Sequence, residues 1–210
     1  MRKTFFGAIA LVIGLAFIAC PEVDPDPEFG VVINGVIWAT CNVDAPGKFA
    51  KNPGTSGMLY QWNRKVGWST TDPISSSPSG KTRNKIGDTG SSWTSSNDPC
   101  PEGWRVPTKD EFVKLCDATK VKSEAAIQND LNGVLLIDIA TNSSIFLPLV
   151  GGRFGDDRSF GGRGFEAGYW SSTFSGLFDE VYALKVMTPA LYAVVSGSTN
   201  PGVSVRCVKK

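Results

Sequence analysis

The chain has 210 residues, with 21 Lys and Arg against 20 Asp and Glu and a formal net charge of +1. That length suits one domain of ordinary size or two small ones, and the near-neutral balance lacks the basic excess that nucleic acid would demand of a partner. No His occurs, which removes the commonest metal ligand and general base.

The first nineteen residues read as a signal peptide. Arg2 and Lys3 form a basic start, and Phe5 through Ile18 are apolar or small. The run is too short and too abruptly ended to span a membrane as a helix. Ala19-Cys20 closes it, and a cysteine after a small residue at the cleavage point looks like a bacterial lipobox, with Cys20 as the lipidated residue. An ordinary secretory signal with an incidental cysteine is the alternative. Residues 20–29 then form an acidic, Pro-rich tether, extended by Pro21, Pro25 and Pro27 and solvated by Glu22, Asp24, Asp26 and Glu28. Acyl chains on Cys20 would hold the mature chain to a membrane through lipid. A single domain is expected over residues 30–210.

Within it, Val31–Ile33 and Val36–Trp38 flank Asn34-Gly35, the strongest short hairpin signal. Residues 42–53 read as a polar loop. Residues 57–63 give an aromatic strand with Tyr60 and Trp62 on one face. From Trp68 to Asn97 no hydrophobic period is sustained, so this segment reads as a long surface loop pinned by Trp68, Ile74, Ile86 and Trp93. Residues 98–116 compress a turn, a short strand and a helix into one unit. Pro99 and Pro101 stiffen the turn around Cys100, and Trp104 and Val106 alternate with Arg105. Thr108 with Glu111 three residues on makes a capping box, and Phe112, Leu115 and Cys116 supply the buried helix face.

Residues 123–132 read as a short second helix or a turn. Residues 133–139 and 145–150 form a hairpin about Asn142-Ser-Ser. Residues 151–168, with seven glycines, read as a second long loop. Four short strands, 169–173, 181–186, 190–195 and 203–208, then suggest an antiparallel meander. The fold class is therefore α+β, with one or two helices set against many short strands and long loops.

Four cysteines follow Cys20: Cys41, Cys100, Cys116 and Cys207. In an exported chain this even number suggests two disulfides, with three connectivities open. Asp110 and Glu111 lie where carboxylates complement a helix dipole, so capping explains them better than catalysis. Asp156 and Asp157, with Asp138 or Asp179 elsewhere in the sequence, are the weak calcium candidates, because loop carboxylates are hard oxygen ligands. They lack an alternating acidic rhythm, and otherwise no cofactor is expected. In the last third, Tyr182, Tyr192 and Phe178 with Asp179 are the candidate ligand-binding residues, since exposed aromatics stack on sugars and anchor protein contacts. Trp170 is expected in the core.

Five motifs in order carry a resemblance: Trp38-Ala-Thr-Cys-Asn-Val43, Gly57-Met-Leu-Tyr-Gln-Trp62, Cys100-Pro-Glu-Gly-Trp-Arg-Val-Pro-Thr108, Tyr169-Trp-Ser-Ser-Thr173 and Val203-Ser-Val-Arg-Cys-Val208. Together they resemble the Fibrobacter succinogenes major paralogous domain, common in Bacteroidota lipoproteins. The resemblance implies a C-type-lectin-like fold: a twisted antiparallel sheet, one or two helices, and long structured loops that form a ligand face. The fold is also seen in formylglycine-generating enzymes and in retroelement-diversified binding proteins. By analogy with lectin-like domains, Cys116 on the helix would bridge to Cys207, leaving Cys41 for Cys100. The acidic tether resembles a surface-export signal of such lipoproteins. The expectation is thus a non-catalytic lipoprotein of the outer membrane, exposed at the cell surface and binding a glycan or a protein. An adhesin or fimbrial-tip component is the alternative, and an enzyme of the formylglycine-generating type a more distant one. Oligomeric state stays open.

Overall fold

A computed structural model of the chain describes residues 30–79, 90–177, 179–188 and 191–210. The signal segment, Cys20, the tether, Ile86 and Phe178 lie outside the described residues. In chain order the strands begin with β1 (Gly30–Ile33), β2 (Val36–Ala39), β3 (Leu59–Gln61), β4 (Gly67–Trp68), β5 (Ser76–Ser77) and β6 (Trp104–Arg105). The helix α1 (Lys109–Leu115) follows, then β7 (Val121–Gln128), β8 (Leu131–Asp138), β9 (Ser144–Pro148), β10 (Gly152–Phe154) and β11 (Ser159–Gly161). The last strands are β12 (Glu166–Phe174), β13 (Glu180–Met187), β14 (Leu191–Ser198), β15 (Gly202–Val203) and β16 (Val208–Lys209). Among the described residues the fold is mostly antiparallel β with one short α-helix, which fits α+β only loosely.

The strands form four sheets, ordered β1-β2-β16-β6, β11-β10-β15-β3-β4-β5, β12-β13-β14 and β7-β8-β9. The first hairpin is as expected: Asn34 and Gly35 take φ of 46° and 75°, the left-handed pair that a two-residue turn matched to strand twist requires. Residues 123–132 are neither a helix nor an isolated turn. They are most of β7, the turn and the start of β8, with Asn129 and Asp130 both at positive φ between them. Ala, Glu and Gln favour a helix locally, but the full-length ladder onto β8 overrides that preference. Residues 151–168 are not a continuous loop, because β10 and β11 make a small hairpin within them. The meander holds for β12, β13 and β14. Residues 203–208 are not its fourth strand: Ser204 only bridges Tyr169 of β12 in parallel, while β15 pairs with β3 and β10, and β16 with β2 and β6.

The 98–116 unit sits where these sheets meet. The Asp98 carboxylate accepts from the backbone N–H of Cys100 at 2.9 Å and of Val106 at 3.2 Å, closing the proline turn. Pro107 offers its carbonyl to the Ser172 N–H at 2.7 Å, tying the unit to β12. The expected capping box forms: the Thr108 hydroxyl accepts from the Glu111 N–H, and the Glu111 carboxylate accepts from the Thr108 N–H at 2.7 Å. Arg105 grips the same carboxylate with both guanidinium arms, at 2.6 and 2.9 Å. Burial raises the Glu111 pKa, but these bonds from Arg105 and Thr108 outweigh it and hold the carboxyl below its ordinary value. On the inner face Phe112 stacks on Trp38, centroids 5.4 Å apart, in a core with Leu59, Leu136 and Tyr169. A second core gathers Trp62, Trp104, Trp170 and Val205. Trp170 is 3% exposed, as expected, and its indole N–H donates to the Tyr60 carbonyl at 2.6 Å.

The disulfide pattern corrects the analogy. Cys100 bonds to Cys207, and Cys116 keeps a free thiol at the end of α1. Cys41 is fully buried and does not pair with Cys100. The physical reason is the sheet order: β16 lies beside β6, so Cys207 meets the turn that precedes β6, while α1 carries Cys116 to the opposite core.

Candidate functional site

The aromatic candidates of the last third do not gather on an open face. Strand register puts Tyr182 and Tyr192 on the same side of the sheet as Tyr169, Leu184 and Val186. That side packs against α1 and the core. Lys109 at the start of α1 places its ammonium 4.2 Å above the Tyr182 ring, and Tyr192 is half-buried against the first core. Burial accordingly pushes the Tyr192 phenol up from its ordinary value. Asp179 is a turn residue at φ 53°, and its carbonyl accepts from the Thr199 N–H at 3.0 Å.

The calcium candidates do not converge either. Asp156 and Asp157 lie in the tight β10–β11 turn, where Asp157 accepts from the Ser159 N–H at 3.2 Å. Asp138 binds the backbone N–H groups of Asn34, Ala140 and Thr141, joining two hairpin turns. Those bonds hold its carboxyl below the ordinary range. Among the described residues no three acidic or cysteine side chains lie close enough together to share an ion.

Two concavities stand out among the described residues. One, of about 470 Å3, lies between the end of α1 and β14 and is lined by Val113, Lys114, Cys116, Asp117 and Val194. It is largely apolar, and burial pushes the Cys116 thiol up to about 12, which suppresses its thiolate. The other, of about 440 Å3, is the more polar of the two, with Met58 and glycines beside its hydroxyl and charged groups. Residues 54–58 and 69–71 form its walls, with Asp44, Asn129 and Arg163 around them.

The polar groove is built from beneath by two buried arginines. Arg206, fully buried, donates to the Asn42 Oδ1 at 2.7 and 2.9 Å and to the carbonyls of Ala39, Thr40 and Phe146. Burial lowers its pKa to about 10, still charged at neutral pH. Asn42, oriented by that guanidinium, donates its amide to the Ser56 carbonyl at 3.0 Å. Gly57 then turns at φ 69°, where a Cβ would stand 2.4 Å from the Val43 carbonyl oxygen. Only glycine passes there without moving the wall. On the other wall Arg153, 1% exposed, donates to the carbonyls of Ser69 and Thr71 and to the Asp72 carboxylate. Both walls are therefore fixed from the core. At one end Arg163, exposed to solvent, donates to the Ser56 hydroxyl at 3.2 Å. At the rim Asp44 is exposed, its carbonyl accepting from the buried Tyr60 hydroxyl.

Sequence reasoning missed this set. The available signals were an Arg inside the apolar run Val203–Val208 and another behind Gly151-Gly152, because a charge amid buried strand residues has to be enclosed by acceptors. Nothing in the sequence joined Arg163 to Ser56, more than a hundred positions apart.

Fold and site together define a β-rich, disulfide-linked domain with a preformed polar groove on a rigid support. Over residues 31–209 the chain matches the Fibrobacter succinogenes major domain, and it belongs to that family. No curated protein and no solved structure matches it.

Proposed function

We propose that the chain is a non-catalytic binding lipoprotein of the outer membrane, anchored through Cys20 and exposed at the cell surface. Its domain, C-type-lectin-like in architecture, would take a glycan or protein ligand in the polar groove. The observation that carries this reading is the groove itself. Its walls carry hydroxyl, amide and backbone polar groups beside Met58, and Arg206 and Arg153 hold them in place before any ligand arrives. Pre-organised donors and acceptors bind without the entropy cost of ordering loops, which suits recognition of a polar ligand. The lipobox-like Ala19-Cys20 and the acidic tether support the location. A glycan array and a pull-down with the mature chain test it, and silence in both would sink it.

A second reading, as an adhesin or fimbrial subunit, draws on β14. It closes one side of the β12-β13-β14 sheet, and its outer edge pairs with no other strand among the described residues. Its Leu191–Ser198 sequence has neither charge nor proline, so it lacks the usual protection against adding a strand. Co-purification with pilin subunits would support this reading, and a lone monomeric receptor would count against it.

A further inference from the structure

We infer that the groove selects saccharides bearing a carboxylate and that Arg163 is the group that reads the acid. The inference rests on the groove being the ligand site proposed above. Arg163 makes one side-chain hydrogen bond, to the Ser56 hydroxyl at 3.2 Å, and no ion pair among the described residues. Glu166, three positions along, is engaged by Lys185 at 3.0 Å and does not compete for it. Ser56 is itself held through the Asn42 amide to its carbonyl, so the guanidinium rests on a fixed point at the end of a cavity of about 440 Å3. The remaining Nη and Nε donors match the two oxygens of a carboxylate, which a planar fork binds in bidentate fashion.

The rest of the lining suits the sugar. Thr70 and Thr71 bring hydroxyls that both donate and accept, while Thr55 and Asn129, whose hydroxyl and amide N–H already donate to the Asn52 Oδ1, offer acceptor oxygens. Asp44 accepts from sugar hydroxyls and repels a second carboxylate, which orients the acid toward Arg163 and disfavours ligands charged at both ends. The groove contains no tryptophan platform, so the affinity is set by polar contacts and falls with salt. The class is therefore a mono-acidic oligosaccharide, terminated by a uronate or a sialate.

Full-length protein in detergent is titrated calorimetrically with a short galacturonate-terminated oligosaccharide, with its methyl ester, with sialyllactose and with lactose. The inference expects binding of the two acids, at least tenfold weaker binding of the ester and of lactose, and weakening on raising the salt. Arg163→Gln, exposed and outside the core, should keep its melting temperature while losing about ten- to a hundredfold in acid affinity. Arg163→Lys should recover only part of it, and Asp44→Asn should raise affinity for a di-acidic oligosaccharide. Equal binding of acid and ester, untouched by Arg163→Gln, would overturn the acid preference and leave the groove as a neutral-glycan site. Absence of acid binding by the wild type would also overturn it, and silence of the neutral glycans too would take the glycan reading with it.

Discussion

Breaking the Cys100–Cys207 bond is the sharpest stability test, because the competing assignment to Cys116 makes a different forecast for each cysteine. The bond closes a separation of 107 residues. A loop of that length removes about 4.7 kcal/mol of chain entropy from the unfolded state at 25 °C. For a domain of this size each kcal/mol moves the melting temperature by about 2–4 °C, so the paired Cys100→Ala, Cys207→Ala variant should melt about 9–19 °C lower than wild type. Both residues also pack in the second core, which adds to the loss. Cys116→Ala removes one half-buried thiol and no bond, so it should cost about 1 kcal/mol or less. Scanning calorimetry reads all three proteins, and a non-reducing peptide map reads the linkage. A map joining Cys116 to Cys207, or a Cys116→Ala variant as unstable as the double one, would refute the reasoning.

Other outcomes follow from the buried arginines, the groove and the helix cap. Arg206→Met should destabilise by about 3–5 kcal/mol in urea titrations, since it strands the Asn42 Oδ1 and three carbonyls in the core. Arg206→Lys should rescue little, because one ammonium does not span that set of acceptors. Gly57→Ala should cost more than about 1 kcal/mol and abolish ligand binding, as its Cβ would drive into the Val43 carbonyl. Alkylation of Cys116 at pH 8 should run more than about a hundredfold slower than that of an unfolded thiol and equalise in denaturant, since its pKa is pushed up to about 12. For Glu111 the folded pKa lies below the unfolded one, so the ionised carboxyl contributes stability above about pH 4.5 that is lost as pH falls through the folded value. Asp98, raised chiefly by its burial, acts with the opposite sign. The difference between wild type and Glu111→Gln isolates the first, and it should shrink below pH 4; a constant difference would contradict it.

Much of the backbone was legible because its signals are local. Asn34-Gly35 dictates its own turn, and Thr108 with Glu111 caps its own helix. Where partners are distant the sequence misleads or falls silent. Residues 123–132 carry helix-favouring side chains and become strand only because β8 is there to pair with them. Residues 203–208 look like one more strand of a meander, yet they are pulled into two other sheets by β3 and by β2 with β6. The three connectivities of four cysteines cannot be ranked without knowing which strands lie side by side, and an analogy to lectin-like domains chose wrongly. Tyr182 and Tyr192 looked available because composition does not say which face of a strand a helix will cover. The groove eluded reading for a related reason: its walls come from separate loops, and the residues that stiffen it lie on strands behind them.

Amide chemical-shift mapping of the mature chain with a ligand found on the array tests the central claim most directly. The account predicts shifts concentrated at residues 54–58, 69–71, 129 and 163, with the surroundings of Tyr182 and Tyr192 unmoved. Shifts clustered instead on β13 and β14, with the groove silent, would contradict it.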